Sequence, residues 1–195
     1  MHQWDSHERK LCSNSLGMTN SSSENWYATT VRPQHEVTVA NWFKERGLQP
    51  FSPMYPLTRQ WSDRKKTIQQ PLFAGYVFCR FSRNDCAKVL NTPGVRSIIS
   101  FGGRPAAVPD SEIEHLAAMV DSGRRLQPWP YIDQGEQIRI ERGPLKGITG
   151  FVVDTRDESR LVVSVTFLKR SVSVSVDRDS LIPLRGQLRT HLAHT

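Results

Sequence analysis

Asp110, Glu112 and Glu114 stand at alternate positions and are the nearest thing in the 195-residue chain to a catalytic cluster. Carboxylates do acid–base work when their surroundings push their pKa values apart. They lie at the start of the segment SEIEHLAAMVDSG, with Asp110 directly before it; the segment has helical periodicity, and acidic groups at a helix start favour the helix dipole. That role accounts for them without catalysis. The chain has no nucleophile elbow, no phosphate-cradling glycine loop and no HExxH pair. Cys12, Cys79 and Cys86 form no CxxC pair and are odd in number, so a disulfide framework is not expected and a reducing cytoplasm fits. None of the six histidines has metal-ligand spacing to a cysteine, and His191 and His194 lie in a polar tail. No enzyme, metal or cofactor is expected.

The chemistry the residues do support is electrostatic. The formal net charge is +7, and all of the excess lies between Glu24 and Arg104, with 12 Lys/Arg against 5 Asp/Glu. The flanking stretches balance. A basic unit beside a neutral one predicts that the first meets a polyanion. Arg59, Arg64, Lys65 and Lys66 crowd one polar segment, TRQWSDRKKTIQQ, with Trp61 among them. Cations for phosphate and a flat ring for bases suit single-stranded nucleic acid. A solvated loop kept soluble by its charge is the competing reading.

Several elements must carry these residues. NWYATTV, residues 25–31, reads as a strand. HEVTVANWFKERG reads as a helix with Val37, Ala40 and Phe43 near one face, Trp42 off it and Gly47 as its stop. QPFSPMYPL is extended but broken by Pro53 and Pro56. The basic segment then forms a protruding hairpin or loop. SRNDCAKVLNTPG reads as a short helix capped by Ser82, with Cys86, Val89 and Leu90 buried and Pro93-Gly94 ending it. VRSIISFGGRPAAVP reads as a strand pair about Gly102-Gly103. A capping box, Ser111 with Glu114, starts the last helix, whose stripe is Ile113, Leu116, Ala117 and Val120.

The expected fold class is α+β: an α/β sandwich over residues 25–123, then a small five-stranded β-barrel over 134–185. A polar leader, 1–24, precedes them, with Met18 as an alternative start; a Pro-flanked semi-rigid linker, 124–133, joins them, and a tail, 186–195, follows. EQIRIE, GFVVD, LVVSVTFL, SVSVSVD and SLIPL are the barrel strands. No apolar run approaches the ~20 residues of a membrane span.

Within the first unit, PLFAGYVFCRF poses a question. Its strand shows Tyr76, Phe78 and Arg80 on one face and Val77, Cys79 and Phe81 on the other. Both faces are largely apolar. Either the domain sandwiches the strand between two layers of its own, or a partner covers one side.

NWYATTVRPQHE, QQPLFAGYVFCRF, TPGV and the FGGRPAAVP hairpin resemble the N-terminal domain of the NusG family of transcription elongation factors. GEQIRIERGPLKGITGFV is similar to the KOW motif that follows it there, with Gly143, Gly147 and Gly150 in place. The resemblance runs from about residue 25 to 184. It implies an NGN-like domain and an SH3-like KOW barrel in a monomeric, cytoplasmic transcription factor. It implies that the first domain binds the clamp helices of the largest RNA polymerase subunit, and so suppresses pausing or termination. By motif position Trp26, Phe73, Tyr76 and Phe78 are the polymerase-binding residues, with Ala74 where the family often has proline. Arg32, His35, Arg59, Trp61, Arg64, Lys65 and Lys66 would face non-template DNA. The hairpin and the helix after it look more like the specialised, RfaH-like antiterminators than the housekeeping factor. In the latter the barrel meets Rho or a ribosomal small-subunit protein; here Phe167 and Leu168 hold the matching loop. The Val/Ser-rich sequence predicts that this barrel stays β and does not become helical.

Overall fold

A computed structural model describes the chain from residue 23 to residue 183, apart from 62–63, 132–136, 155–158, 166–167 and 177–180. The expected leader and tail, and Phe167, lie outside the described residues.

The first unit is built on a sheet whose central strand is β1 (Asn25–Val31). β1 pairs antiparallel with β5 (Tyr76–Phe81), and β5 with β2 (Gln49–Phe51). The other edge of β1 is shared by β6 (Val95–Ile98) and β9 (Ala107–Val108). β3 (Met54–Gln60) and β4 (Lys65–Pro71) leave this sheet as a two-stranded ribbon, the protruding hairpin the polar composition predicted. β7 (Ser100–Phe101) and β8 (Arg104–Pro105) turn at Gly102-Gly103, both at positive φ. The exposed Phe101 sits at that turn.

Among the described residues three α-helices pack on the sheet. In α1 (Glu36–Glu45) the buried positions are Glu36, Val39 and Phe43, and Val37 is exposed, one position off the expected stripe. Glu36 is drawn in because its Oε1 accepts the Gly75 N–H at 2.8 Å. α2 (Cys86–Leu90) buries Cys86 and Val89, and α3 (Asp110–Asp121) buries Ile113, Leu116 and Met119. The expected capping box is absent. α3 begins at Asp110 after Pro109, which places Ser111 inside the first turn, where it no longer occupies the cap position. Asp110 instead meets Arg80 of β5 at 3.8 Å, tying the start of α3 to the sheet.

The second unit is a six-stranded antiparallel sheet, one strand more than expected. β11 (Gln137–Ile140), β12 (Thr149–Asp154), β13 (Ser159–Val165) and β14 (Arg170–Val176) follow in order, and β15 (Leu181–Pro183) pairs back onto β11. The sixth is β10 (Leu126–Trp129), which comes from the Pro-flanked segment expected to be a linker and lies along β14. Pro128 has no N–H to donate, which an outer-edge strand tolerates.

β14 alternates serine and valine along residues 171–176. Ser171 and Ser173 are nevertheless buried, as are Val172 and Val174. Their face is covered as well: Arg160 lies there, its Nη1 donating to Ser173 Oγ at 3.3 Å, with the Trp129 ring 5.9 Å away.

Candidate polymerase-binding face and basic hairpin

β5 is buried on both sides, and two different clusters do the burying. Val77, Cys79 and Phe81 join Tyr27, Val39, Phe43, Cys86 and Val89 beneath α1 and α2. Burial there, with Asp85 nearby, pushes the Cys79 thiol up to about 12, against the opposing pull of Lys88, so it is a packing group without thiolate character. Phe78, with Tyr76 packed alongside, joins Trp26, Phe73, Val108, Ile113, Leu116 and Met119.

Register explains why these rings meet. Ala28 lies opposite Phe78 and Thr30 opposite Tyr76, so Trp26, two residues back, shares their face. Phe51 lies opposite Phe78 from β2, with ring centroids 6.2 Å apart. Phe73 meets Phe78 edge-on at 5.3 Å and 88°. The loop that delivers Phe73 is fixed at both ends. Val31 N–H donates to Gly75 O at 2.9 Å and Tyr76 N–H to Phe73 O at 3.0 Å, with Gly75 at φ 84°.

The same cluster continues into the second unit. Leu126, Ile138, Ile140, Leu161, Val163, Leu168, Val172 and Val174 belong to it without a break. β13 runs beside α3. The guanidinium of Arg170 lies 5.3 Å from the Tyr76 ring centroid. Phe78 is 0 %, Phe73 2 % and Trp26 7 % exposed; Tyr76 is half-buried. The open question about β5 therefore resolves physically. Its second face is covered inside this chain, by α3 and by the second unit together. Leu168 is buried in the same cluster, so it offers no open surface in this arrangement.

His115 of α3 is half-buried and feels the charges of Glu114 and of the second unit's Arg139. Burial holds its pKa below the ordinary value; Glu114 acts the other way, and Arg139 adds to the lowering.

The basic residues form a separate, exposed group. Arg59 and Lys66 face each other across the ribbon, and Trp61, 57 % exposed, lies where the ribbon turns. Like charges directly opposite are unfavourable unless solvent or an anion screens them. Arg64 and Lys65 are exposed beside them. Arg32 and His35 are exposed between β1 and α1. Because β1 and β5 run antiparallel, the end of β1 and the start of β5 coincide, so the ribbon leaves the sheet at the Arg32–His35 end.

Residues 24–117 match the family model described as "Transcription termination factor nusG". These residues form a NusG-family domain. The family's members are transcription factors and not enzymes, in keeping with the sequence. Over 178 residues the chain is 26 % identical to the transcription termination/antitermination protein NusG of Thermus thermophilus, covering 80 % of this chain and 97 % of that one. Its Escherichia coli counterpart is 29 % identical over 121 residues, covering 58 % of this chain and 66 % of its own length. The solved structure titled "Domain interaction in Thermotoga maritima NusG" superposes with a TM-score of 0.50 at 21 % identity, covering 85 % of this chain and 99 % of that one. That likeness concerns the fold. The NusG-family match spans the unit that holds both the aromatic face and the basic hairpin.

Three contributors escaped sequence reasoning: Arg170, Met119 and the β10 segment. Met119 follows the helical stripe one position before Val120 and was within reach. Arg170 and β10 act through contacts distant in sequence and leave no local pattern.

Proposed function

We propose that the chain is a transcription termination/antitermination factor that binds RNA polymerase through the face formed by Trp26, Phe73, Tyr76 and Phe78. The observation that carries this reading is the composition of that face. These four aromatic rings, with Phe51 beside them, belong to one cluster that also takes in α3 and the second unit of the same chain. Aromatics give large contact area at low entropic cost, which suits a partner interface. The partner is the clamp-helix surface of the largest polymerase subunit, and the effect is suppression of pausing or termination in the cytoplasm.

The basic hairpin extends this reading to DNA. Arg59, Arg64, Lys65, Lys66 and Trp61, with Arg32 and His35 at the same end of the sheet, have the cations and the flat ring that a displaced non-template strand requires. A contact of the second unit with Rho or a ribosomal protein through Phe167 and Leu168 needs the unit free of the first domain. The Gly102-Gly103 hairpin and α3 favour an RfaH-like, operon-specific role.

Titration of purified RNA polymerase with the labelled full chain and with Tyr76→Ala tests the central reading. Tyr76 is half-buried, so its replacement leaves the core standing. Tighter binding by the wild type supports it, and equal affinities would remove the aromatic face from the interface.

A further inference from the structure

We propose that Glu36 is a positioning residue for the polymerase contact: its carboxylate, bonded to the Gly75 amide, sets the turn that presents Phe73 and Tyr76. The proposal rests on reading those rings as part of the polymerase-binding surface.

The first argument is where the carboxylate lies. Glu36 is 5 % exposed, although it is the first residue of α1 and its neighbours His35 and Val37 are open to solvent. Burying a carboxylate is costly unless hydrogen bonds replace the water it gives up. Here Oε1 accepts the Gly75 N–H at 2.8 Å, a short bond of the charge-assisted kind. A carboxylate that only favoured the helix dipole would do so from the solvent side of the first turn. This one is turned inward, onto a loop 39 residues away.

The second argument is what the bond holds. Gly75 sits at φ 84°, where a residue with a side chain is rarely found. Both of its backbone polar groups are taken by the segment that joins β1 to α1. Val31 N–H donates to the Gly75 carbonyl at 2.9 Å, and Glu36 accepts from the Gly75 amide. Next to it Tyr76 N–H closes back on Phe73 O at 3.0 Å, and Leu72 N–H donates to Pro53 O at 2.9 Å. Phe73 to Tyr76 therefore form a turn pinned at Gly75, with an aromatic ring at either end. Moving Gly75 moves both rings.

The third argument is that the anchor is itself held. Arg32 N–H donates to Gly94 O at 2.8 Å, His35 N–H to Arg32 O at 3.1 Å, and Val39 N–H to His35 O at 2.8 Å. A Cβ added at Gly94 would lie 3.0 Å from Val39 Cγ2 and 3.3 Å from His35 Nδ1, so this connection is packed tightly on the Gly94 loop. Gln34, within it, takes φ 63° without being glycine. A positioning group works only from a backbone that is fixed in place.

The test compares two conservative substitutions in the full chain. Glu36→Gln keeps the length and the acceptor oxygen but loses the charge. Glu36→Asp keeps the charge at the helix start but withdraws it from Gly75 by one methylene. Purified RNA polymerase is titrated with each labelled chain, with Tyr76→Ala as the control for the face, and amide exchange at Gly75 is followed by NMR. We expect Glu36→Asp to bind about tenfold more weakly and to lose protection at Gly75, while Glu36→Gln stays within about twofold of the wild type. In a Tyr76→Ala background the aspartate is expected to cost little more.

Wild-type affinity in Glu36→Asp, with Tyr76→Ala defective, overturns the positioning role and leaves the polymerase reading intact. Glu36→Gln as weak as Glu36→Asp makes charge and not reach the active property, and overturns it too. So does a Glu36→Asp chain that loses protection throughout the first unit, because the role is then one of general stability. If Tyr76→Ala binds as the wild type does, the face reading falls and Gly75 exchange alone judges Glu36. Faster exchange in Glu36→Asp than in Glu36→Gln supports the proposal, and equal rates overturn it.

Discussion

The Arg170 guanidinium and the Tyr76 ring, from two units far apart along the chain, lie 5.3 Å from one another. A cation against an aromatic face is worth about 0.5–1 kcal/mol where partly exposed. Arg170→Ala is therefore expected to lower stability by no more than about 1 kcal/mol while strengthening polymerase binding, because it removes cover from Tyr76 and leaves the ring intact. Paired chemical-denaturation and polymerase-titration curves check this; weaker polymerase binding would mean that Arg170 itself touches the polymerase.

Phe78 demands a different expectation. It is fully buried between Phe51, Phe73 and α3, and truncation to alanine is expected to cost about 3–5 kcal/mol. Thermal unfolding of Phe78→Ala measures this. A drop in stability below about 1 kcal/mol would show that the ring is not packed in this way.

His115 is expected to make the stability of the fold depend on pH. Burial and Arg139 both disfavour its charged form, and Glu114 only partly offsets them. A histidine whose folded pKa is lowered takes up its proton more readily when the chain unfolds, so acid favours unfolding. The stabilisation is complete above pH 6.5 and is lost as pH falls below 6.5 through the lowered value. Denaturation series from pH 8 to pH 5 should show this decline in the wild type and a flatter profile in His115→Gln. Parallel profiles would rule out His115 as its source.

For the hairpin, removing one cation that neutralises a phosphate should make the dependence of log affinity on log salt shallower by about 0.7 for single-stranded DNA. Arg59→Ala with Lys66→Ala is expected to flatten the slope and weaken binding across sequences, and Trp61→Ala to weaken binding at unchanged slope. Fluorescence anisotropy with a short labelled strand, over a salt series, separates the two. A double variant with the wild-type slope would make the hairpin a solvated loop and nothing more.

Cys79 should resist alkylation by iodoacetamide at neutral pH until the protein unfolds, since burial holds its thiol protonated up to about 12. Mass spectrometry with and without denaturant reads this directly.

How much of this was legible beforehand varies with the range of the interactions. β1, β5 and the strands of the second unit are local period-two patterns, and α3 is a local stripe. The ribbon is visible as a polar, basic interval between extended segments. The helix start was misjudged because α3 begins earlier than the capping box implied, at Asp110 after Pro109, which puts Ser111 inside the first turn. Val37 was misplaced because Glu36 turned inward to hold the Gly75 amide, a contact 39 residues away.

β10 shows the limit most clearly. Its four residues carry no alternation of their own, and they become a strand only because β14 presents an unpaired edge to them. The residues alone determined that β5 has two apolar faces, that positive charge gathers on the first unit, and that the second unit is β. They did so because side-chain direction and charge are local properties of the chain. What covers the second face of β5 was decided only by tertiary structure. Apolar surface has no directional preference for its partner, so burial by the chain itself and burial by another molecule leave the same trace in sequence.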